Sequence, residues 1–263
     1  MRVAVLGCGP AGLLAVHAAK LAGYHVDCYS KDEKSVMGGA QYLHAPIPHL
    51  TNPAKRKTIT FVKVGTRKGY AEKVYGKPDA PCSWDLFKEG PKSAWPIVAM
   101  YDMLWALYSH KIAHAAFGHR DSPLADIVSD YDVVFSTIPA RVLCVDPEHH
   151  FFNSQHVVFT GGYAAKEPLA SFENVVVYNG DLSKRWYRTS RIFGVEQTEY
   201  AGHHTEELNS IAGGKDVLHG FKPINTNCDC NPKIIRLGRF GQWKKGILVH
   251  TAYKGACDAL HAL

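Results

Sequence analysis

The chain has 263 residues, of which 46% are hydrophobic and 21% are charged, and its formal net charge at pH 7 is +6. These values are typical of an ordinary globular protein, and no run of about eighteen apolar residues predicts a membrane span. The seven cysteines are odd in number and lack a framework spacing, which favours reduced thiols and a cytoplasmic location. Because a strand pattern begins at Arg2, no signal peptide is predicted.

The first thirty residues predict a strand, a glycine-rich turn, a helix and a second strand. Residues 2–6 form an apolar strand pattern, Gly7-Cys-Gly-Pro-Ala-Gly12 follows at once, and helical spacing runs over residues 13–22. In such a unit the glycines permit a tight turn, a close approach of the diphosphate and close helix–strand packing. The helix N-terminus adds N–H donors and a positive dipole end. A bound dinucleotide is therefore predicted; the alternative is a glycine turn that serves packing alone. The predicted contacts are Gly7, Gly9, Pro10, Ala11 and Gly12.

The end of the second strand departs from the usual pattern. An acidic residue is expected there to accept hydrogen bonds from the adenosine ribose. Ser30 occupies this position, and Asp32 and Glu33 lie just beyond it; Ser30 and Lys31 are predicted to contact the cofactor. Either carboxylate could bind the ribose from the loop, so the ribose contact is open. The next predicted cofactor residues are Gly38, Gly39 and Gln41.

The middle of the chain has a different character. Over residues 58–90, short apolar runs alternate with Gly, Lys and Pro, which predicts short antiparallel strands at 59–64 and 70–75. From Pro96, apolar and aromatic residues recur at spacings of three and four, which predicts a long helix whose aromatic residues belong to the core. We interpret residues 58–122 as a small inserted α+β region for the substrate.

An α/β pattern returns after residue 130. Residues 132–139 read as a buried strand that runs into Thr-Ile-Pro, residues 174–178 as another strand, and residues 249–263 as a helix. Residues 1–57 and 123–263 are thus predicted to form one nucleotide-binding domain, interrupted by the insertion. No internal repeat is present.

Four separated pieces of the chain resemble small flavoproteins of the UDP-galactopyranose mutase and amine oxidase type. They are the glycine motif at 7–12, Gly38-Gly39, the strand at 132–139, and Gly238-Arg239 with Trp243 and the last helix. The stretch from Tyr178 to Arg188 is also similar to the mutases' Tyr-x-Gly-x-Asp segment and the aromatic residues after it. The resemblance covers about half of the chain, which is shorter than a typical mutase.

The resemblance implies a Rossmann-like α/β domain of the GR2 type that binds FAD between both ends of the chain. A glycine-rich element near the C-terminus, followed by a helix, favours FAD over NAD, because helix-start N–H groups can stabilise negative charge on the flavin ring. Turn geometry alone is the alternative for Gly238 and Gly246. The residues assigned to FAD on this basis are Gly238, Arg239, Gly246, Ile247, Leu248 and His250.

Candidates for the chemistry lie in three places. His44 follows the Gly38-Gly39 pair and could carry a proton or hydrogen-bond the flavin, although a structural histidine is an equal alternative. Tyr187 and Arg188 are assigned to catalysis, because arginine binds carboxylate or phosphate through a planar fork and tyrosine can stack or donate a hydrogen bond; a solvated loop is the alternative. The predicted substrate-binding residues are Arg185, Trp186 and Tyr253.

No metal site is predicted. The spacing of Cys228-x-Cys230 is too short for the usual zinc pairs, and no matching pair with nearby histidines follows. The adjacent pairs His149-His150 and His203-His204 cannot both point to one helix face. The absence of a Gly-x-Ser-x-Gly motif gives hydrolase chemistry no support.

Three functions fit the sequence. The first is an FAD-dependent oxidation of a C–N bond in a small polar or anionic substrate, with a modified nucleotide or a DNA base as a further option because of the basic stretch from Lys55 to Lys77. The second is a UDP-sugar mutase-like reaction without net redox change, for which Arg185, Tyr187 and Arg188 are the only candidates. The third is a non-catalytic dinucleotide-binding sensor. No membrane partner is predicted, and nucleic acid binding is an open possibility.

Overall fold

The computed structural model describes residues 1–31, 33–35, 37–39, 42–86, 88–118, 123–146, 148–202 and 217–263. The helices and strands of these ranges are, in chain order, β1 (Arg2–Leu6), α1 (Pro10–Leu21), β2 (His25–Ser30), β3 (Tyr42–Leu43), β4 (Lys57–Gly65), α2 (Arg67–Tyr75), α3 (Ser83–Leu86), β5 (Gly90–Pro96), α4 (Ile97–Tyr108), β6 (Ile112–His114), α5 (Leu124–Asp130), β7 (Val133–Ser136), β8 (Phe152–Gly161), β9 (Val175–Gly180), β10 (Arg188–Ile192), β11 (Val195–Ala201), β12 (Val217–Thr226), β13 (Ile234–Arg236), α6 (Gly238–Gln242) and α7 (Val249–His261).

The first of two sheets is parallel and has the strand order β13-β7-β1-β2-β6. Its central strands are apolar runs buried on both faces, as is usual where helices cover a parallel sheet on both sides. On one face α1, α4 and α7 pack into a core that includes Leu13, Leu104 and Ala256. On the other face Phe117 and Ile127 cover the strands. This arrangement confirms the predicted Rossmann-like α/β fold.

The second sheet has eight strands in the order β12-β8-β11-β10-β9-β4-β5-β3. Its neighbours are antiparallel except for β4 and β9, which run parallel. Aromatic side chains fill the core on one face, among them Phe61, Tyr70, Tyr178 and Tyr187. A smaller cluster around Val175 and Val177 covers the opposite face.

The two sheets divide the chain differently from the predicted boundaries. The eight-stranded sheet takes strands from 42–96 and again from 152–226, so it is larger than the predicted insertion at 58–122. Conversely, α4 and β6 lie inside that insertion but pack with the parallel sheet. This division has no local cue in the sequence, because an apolar strand such as β9 has the same composition in either sheet.

The predicted strand at 70–75 is wrong, because these residues belong to α2. Thr66 caps the helix by accepting a hydrogen bond from the Gly69 N–H at 3.0 Å, and Gly76 ends it in the left-handed conformation with φ of 66°. The predicted helix after Pro96 is confirmed as α4, with Tyr101 and Leu104 in the core. Within the described residues, no helix is both long and apolar enough to cross a bilayer.

Candidate active site

The turn between β1 and α1 has the geometry that its glycines predict. Gly7 has φ of 101°, a region that side chains rarely adopt, and a Cβ there would lie 2.7 Å from Thr137 Oγ1. Thr137 belongs to the Thr-Ile-Pro segment after β7 and hydrogen-bonds the Leu6 carbonyl through both its N–H and its hydroxyl. A Cβ on Gly12 would overlap the Gly7 carbonyl oxygen. Both glycines are therefore required by packing within the protein.

Gly9 differs from these two glycines because the protein itself does not require it. Gly9 precedes α1 in an extended conformation, with φ of −65°, that any residue can adopt. Among the described residues, a Cβ at this position would meet only Ser35 Oγ, at 3.8 Å. The open space lies at the start of a helix, where the first N–H groups lack intrahelical partners. A glycine with free space beside a helix N-terminus fits an approaching phosphate.

The loop after β2 is fixed against this turn. The Cys8 thiol donates to Ser30 Oγ at 3.0 Å, and the Tyr101 hydroxyl donates to the Cys8 carbonyl while it accepts from the Ser35 N–H. Ser30 is buried and Lys31 is exposed. Asp32 and Gln41, named as ribose and cofactor candidates, lie outside the described residues. The ribose contact therefore stays a prediction.

The C-terminal glycine segment lies directly against the N-terminal turn. Gly238 has φ of 71°, and a Cβ there would lie 2.9 Å from Ala11 Cβ at the start of α1. Gly246, Ile247 and Leu248 form the loop that leads into α7. The two chain ends assigned to the cofactor are thus adjacent in space, as the sequence predicts.

Two buried polar atoms near this segment lack a hydrogen-bond partner among the described residues: Arg239 Nε and His250 Nδ1. Arg239 lies in the first turn of α6, and His250 lies in the first turn of α7. Burial lowers the pKa of both side chains, and Arg188 lowers that of Arg239 further. Buried polar atoms are nearly always paired in folded proteins, so these two are candidates to bind a ligand.

A buried cluster of charged side chains lies beneath Gly39. Glu199 is 2% exposed and forms ion pairs with Arg188 and Lys222, and it accepts a hydrogen bond of 2.9 Å from the Tyr187 hydroxyl. A Cβ on Gly39, whose φ is 91°, would lie 3.2 Å from Arg188 Nη2 and 3.3 Å from Glu199 Oε1. The glycine therefore lets the backbone pass directly over the ion pairs.

This cluster has more positive than negative charge. Burial alone would raise the pKa of Glu199, but Arg188 and Lys222 lower it to about 2. Burial and the nearby Arg188 lower the pKa of Lys222 to about 7, against the opposing effect of Glu199. Among the described residues, the cluster together with Arg239 presents three basic side chains and a single carboxylate, an arrangement that favours an anionic ligand.

His44 lies between this cluster and α7. Its ring centroid is 4.5 Å from that of Tyr42 and 6.4 Å from that of His250. Burial lowers its pKa to about 4, and His250 and Arg188 act in the same direction. The imidazole is therefore uncharged at neutral pH and can offer both a donor and an acceptor nitrogen.

The predicted substrate-binding residues do not meet at one point. Arg185 is exposed on the loop between β9 and β10, and Trp186 packs with Val175 and Val177 on the face of the sheet opposite to Tyr187. Tyr253 packs against the core beside α1. Of the predicted catalytic residues, Tyr187 and Arg188 belong to the charged cluster and His44 lies nearby. Their roles stay predictions.

Two basic residues of the stretch from Lys55 to Lys77 make local contacts. Arg67 forms a salt bridge with Asp85. Lys73 is buried and donates to the carbonyl oxygens of Asp181, Lys184 and Trp186 at 2.8–3.0 Å. Both cations thus stabilise the fold locally, and nucleic acid binding by the remaining basic residues stays a prediction.

Sequence reasoning missed Glu199 and Lys222. Glu199 lies directly opposite Arg188 in the β10–β11 register, and Lys222 reaches it from β12, over the ring of Phe159. The one available signal was a carboxylate at a position of β11 whose side chain points into the core. It could be interpreted only once the strand pairing was known.

No protein-family model matches the chain, and no curated protein matches it in sequence. Solved structures nevertheless share its fold. The 2,6-dihydroxypyridine-3-hydroxylase of Arthrobacter nicotinovorans has a TM-score of 0.55 and 11% identity, over 99% of this chain and 82% of that one. The flavin-dependent brominase Bmp2 has a TM-score of 0.55 and 12% identity, over 100% and 78%. A protein of Photorhabdus luminescens subsp. laumondii, assigned as an FAD-containing monooxygenase, has a TM-score of 0.52 and 11% identity, over 98% and 86%.

The chain therefore shares the fold of these three structures over almost its whole length. At such low identity the likeness concerns the fold alone. The three structures are a hydroxylase, a brominase and a monooxygenase by name, so they do not support the narrower resemblance to UDP-galactopyranose mutases and amine oxidases.

Proposed function

We propose that this protein is an FAD-dependent oxidoreductase that acts on a small polar or anionic substrate. The observation that carries the proposal is the meeting of both chain ends at one site: Gly238 contacts Ala11 beside the open space at Gly9. A glycine-rich turn that served packing alone would not need a glycine at position 9, where a side chain would have space. Two structures of the same fold are named as an FAD-containing monooxygenase and a flavin-dependent brominase, and these names support the choice of FAD.

The residues of this site fit FAD. The backbone around Gly9 and the start of α1 would hold the diphosphate. Arg239 Nε and His250 Nδ1, which are buried and lack a partner among the described residues, would bind other polar groups of the cofactor. FAD, when bound, supplies a two-electron acceptor; the protein supplies binding, orientation and electrostatics.

The charged cluster beneath Gly39 defines the proposed substrate class. Glu199 compensates Arg188 and Lys222, and Arg239 adds a further positive charge beside them. The net positive charge of this cluster would attract a carboxylate or other anion. His44 would position the substrate through hydrogen bonds, because its lowered pKa of about 4 keeps the ring uncharged at neutral pH.

Within this class we propose oxidation of a C–N bond in an amino-acid-type substrate. An excess of positive charge lowers the pKa of a nearby amine, so the cluster would favour the uncharged amine from which electrons can be removed. Ring hydroxylation is the alternative, and it is favoured by the name of the Arthrobacter nicotinovorans hydroxylase. The two reactions differ in their reductant, since hydroxylation requires an external hydride donor and oxygen.

The other candidate functions have less support. A mutase-type site needs two arginines that face a diphosphate, but Arg185 is exposed on a loop and Arg188 is bound by Glu199. A nucleotide or DNA base is an anionic substrate of the proposed class, yet Arg67 and Lys73 of the basic stretch are engaged in local contacts.

The test is anaerobic reduction of the FAD-loaded protein. Amino acids and small amines are added to one series of samples, and NADH or NADPH with hydroxypyridines to another, while the flavin absorbance is followed. Bleaching by an amino-acid-type substrate alone is expected. Bleaching only by a nicotinamide, accelerated by the hydroxypyridine, would replace C–N oxidation by hydroxylation. If neither series bleached the flavin, the oxidoreductase proposal would fail and a sensor role would replace it.

A further inference from the structure

Four potential metal ligands converge outside the proposed active site. Cys144, His150, Cys228 and Cys230 each offer one donor atom, and all four donor atoms lie within 4.8 Å of one another. His150 Nδ1 lies 3.1 Å from Cys144 Sγ and 3.6 Å from Cys230 Sγ, and the two sulfur atoms are 4.0 Å apart. Cys228 is buried, and the other three side chains are partly buried.

From this convergence we propose a structural zinc site with a Cys3His donor set. Zinc binds thiolate sulfur at about 2.3 Å and imidazole nitrogen at about 2.0–2.1 Å in a tetrahedron, so its ligands lie roughly 3.4–3.8 Å from one another. The observed separations of 3.1, 3.6 and 4.0 Å bracket that range. Small side-chain movements are sufficient to bind the ion. Protein atoms fill all four positions, as in closed structural sites rather than catalytic ones.

The ligands come from two loops that are distant in sequence. Cys144 and His150 belong to the connection between β7 and β8, and Cys228 and Cys230 belong to the connection between β12 and β13. Zinc pairs are usually sought as two short Cys-x-x-Cys-type motifs, so a Cys-x-Cys pair without a neighbouring partner gave no signal in the sequence. The missing half of the site lies more than 75 residues earlier in the chain.

Hydrogen bonds already hold the two loops together around the four ligands. Asn231 Nδ2 donates to the Leu143 carbonyl at 2.8 Å, and the Phe151 N–H donates to Asn227 Oδ1 at 2.9 Å. Each bond joins a residue next to one ligand with a residue next to a ligand of the other loop. The site is thereby preorganised, which lowers the entropic cost of metal binding.

Arg236 provides a matching outer contact. Its Nη1 donates to the Cys228 carbonyl at 2.9 Å, and its Nη2 lies 2.6 Å from the Cys230 carbonyl and 3.5 Å from Cys228 Sγ. Three thiolates and one Zn²⁺ have a net charge of −1, which the guanidinium would balance. Groups that donate to metal-bound sulfur in this way orient the ligands and tune the site.

The position of the site indicates what the zinc would do. It would clip the segment after β7, which includes Thr137 beside Gly7, to the segment that leads into β13 and Gly238. Both segments approach the proposed cofactor site, but none of the four ligands contributes to it. The zinc would therefore stabilise the junction of the two sheets, and its presence can be tested independently of FAD.

The test begins with the metal content of the protein, purified without a polyhistidine tag. About one zinc per chain and negligible iron are expected for a Cys3His site. Cobalt that replaces the zinc should give visible bands of tetrahedral Co²⁺ and a near-ultraviolet thiolate charge-transfer band. Cys228→Ser and Cys230→Ser should each lose the metal, whereas Cys257→Ser, on α7 outside the cluster, should retain it.

The proposal does not depend on the variants folding. If the wild-type protein contained no zinc after incubation with Zn²⁺, and showed no thiolate–Co²⁺ band, the site would be disproved. Finding iron in place of zinc would also overturn the proposal. So would a disulfide among the seven cysteines that forms during purification without a reducing agent and persists after zinc is added. With zinc present, its removal by a chelator should lower Tm whether or not FAD is bound.

Discussion

At the scale of single residues, Glu199 is the key buried charge of the candidate site. Its carboxylate is 2% exposed and compensates Arg188 and Lys222, whose side chains are 18% and 20% exposed. A buried ion pair adds little net stability compared with an apolar replacement, but removing one partner leaves an uncompensated charge. The cluster is therefore expected to be sensitive to changes at the Glu199 carboxylate.

We predict that Glu199→Gln lowers the free energy of unfolding by about 3 kcal/mol at pH 7. This value is at the lower end of the range for a broken buried ion pair, because Lys222, whose pKa is about 7, can release its proton. Glu196→Gln is the matched control, since Glu196 is an exposed partner of Arg191 on the same strand. That change should cost less than about 1 kcal/mol. Urea unfolding measures both values, and equal losses for the two variants would contradict the account.

Gly9 allows cofactor binding to be separated from folding. A valine at this position meets open space and an extended backbone, so Tm of the cofactor-free protein should stay within a few degrees of wild type. The same side chain would occupy the path of the diphosphate, so FAD affinity should fall by at least about tenfold.

The control for Gly9→Val is Gly161→Val, because Gly161 also has free space around it but lies at the exposed end of β8. That variant should bind FAD normally in a fluorescence titration. If Gly9→Val bound FAD as tightly as the control, the diphosphate site would have to lie elsewhere.

At the scale of elements, α2 depends on a close approach to β9. A Cβ on Gly69 would overlap the Gly180 carbonyl oxygen, whereas a Cβ on Gly255, in α7, would meet only the Leu237 side chain, at 3.1 Å. In an unobstructed helix, Gly→Ala stabilises by about 0.5–1 kcal/mol. The two helical glycines should therefore respond differently to the same substitution.

Gly69→Ala should lower the free energy of unfolding by at least about 2 kcal/mol, because backbone rather than a flexible side chain must move. Gly255→Ala should change it by less than about 0.5 kcal/mol, since the Leu237 methyl group can shift while helix propensity improves. Chemical denaturation of both variants measures the difference. A stabilising Gly69→Ala would mean that α2 does not pack on β9 as described.

Elements were predictable from the sequence where the signals are local. The turn at Gly7, the helix that begins after Pro96 and the last helix follow from motifs and spacings within a few residues, and the structure contains each of them. The segment 70–75 was misinterpreted, because its apolar residues fit either period and the deciding features are the Thr66 cap and the distant Gly180.

The candidate site was predictable only in part, for the same physical reason. Gly238 and Ala11 were placed together by the resemblance of both chain ends to flavoproteins, and the structure brings them into contact. The Glu199–Lys222 pair joins two residues that are 23 positions apart in sequence. The cysteine–histidine cluster joins two loops that are farther apart still, so both features depend on the tertiary fold. Neither a sequence period nor a short motif carries that information.

At the scale of the whole molecule, three buried or partly buried histidines are expected to determine how thermal stability changes at acidic pH. Burial lowers the pKa of His44 from 6.5 to about 4, and the pKa values of His17 and His250 are also lowered by burial. Between pH 6.5 and 4 the unfolded chain takes up protons at these positions that the folded chain does not, so stability falls as pH falls. Glu199, whose pKa is about 2, loses its stabilising contribution only below pH 4.5.

We therefore predict that Tm of wild type falls between pH 6.5 and 4.5, and that His44→Gln reduces this fall. His261→Gln, at the exposed end of α7, is the control and should leave the fall unchanged. Differential scanning fluorimetry at half-unit pH intervals provides the comparison. Parallel curves for wild type and His44→Gln would show that His44 is not buried in its neutral form.

The central claim is that both chain ends bind one FAD molecule. Its most direct test is the cofactor content of the purified protein, released by heat, identified by chromatography and followed by titration of the cofactor-free protein with FAD, NAD and NADP. We predict bound FAD at about one per chain, with tight rebinding of FAD and no comparable binding of either nicotinamide. A protein that neither retains nor rebinds FAD, or that binds NAD or NADP instead, would contradict the account.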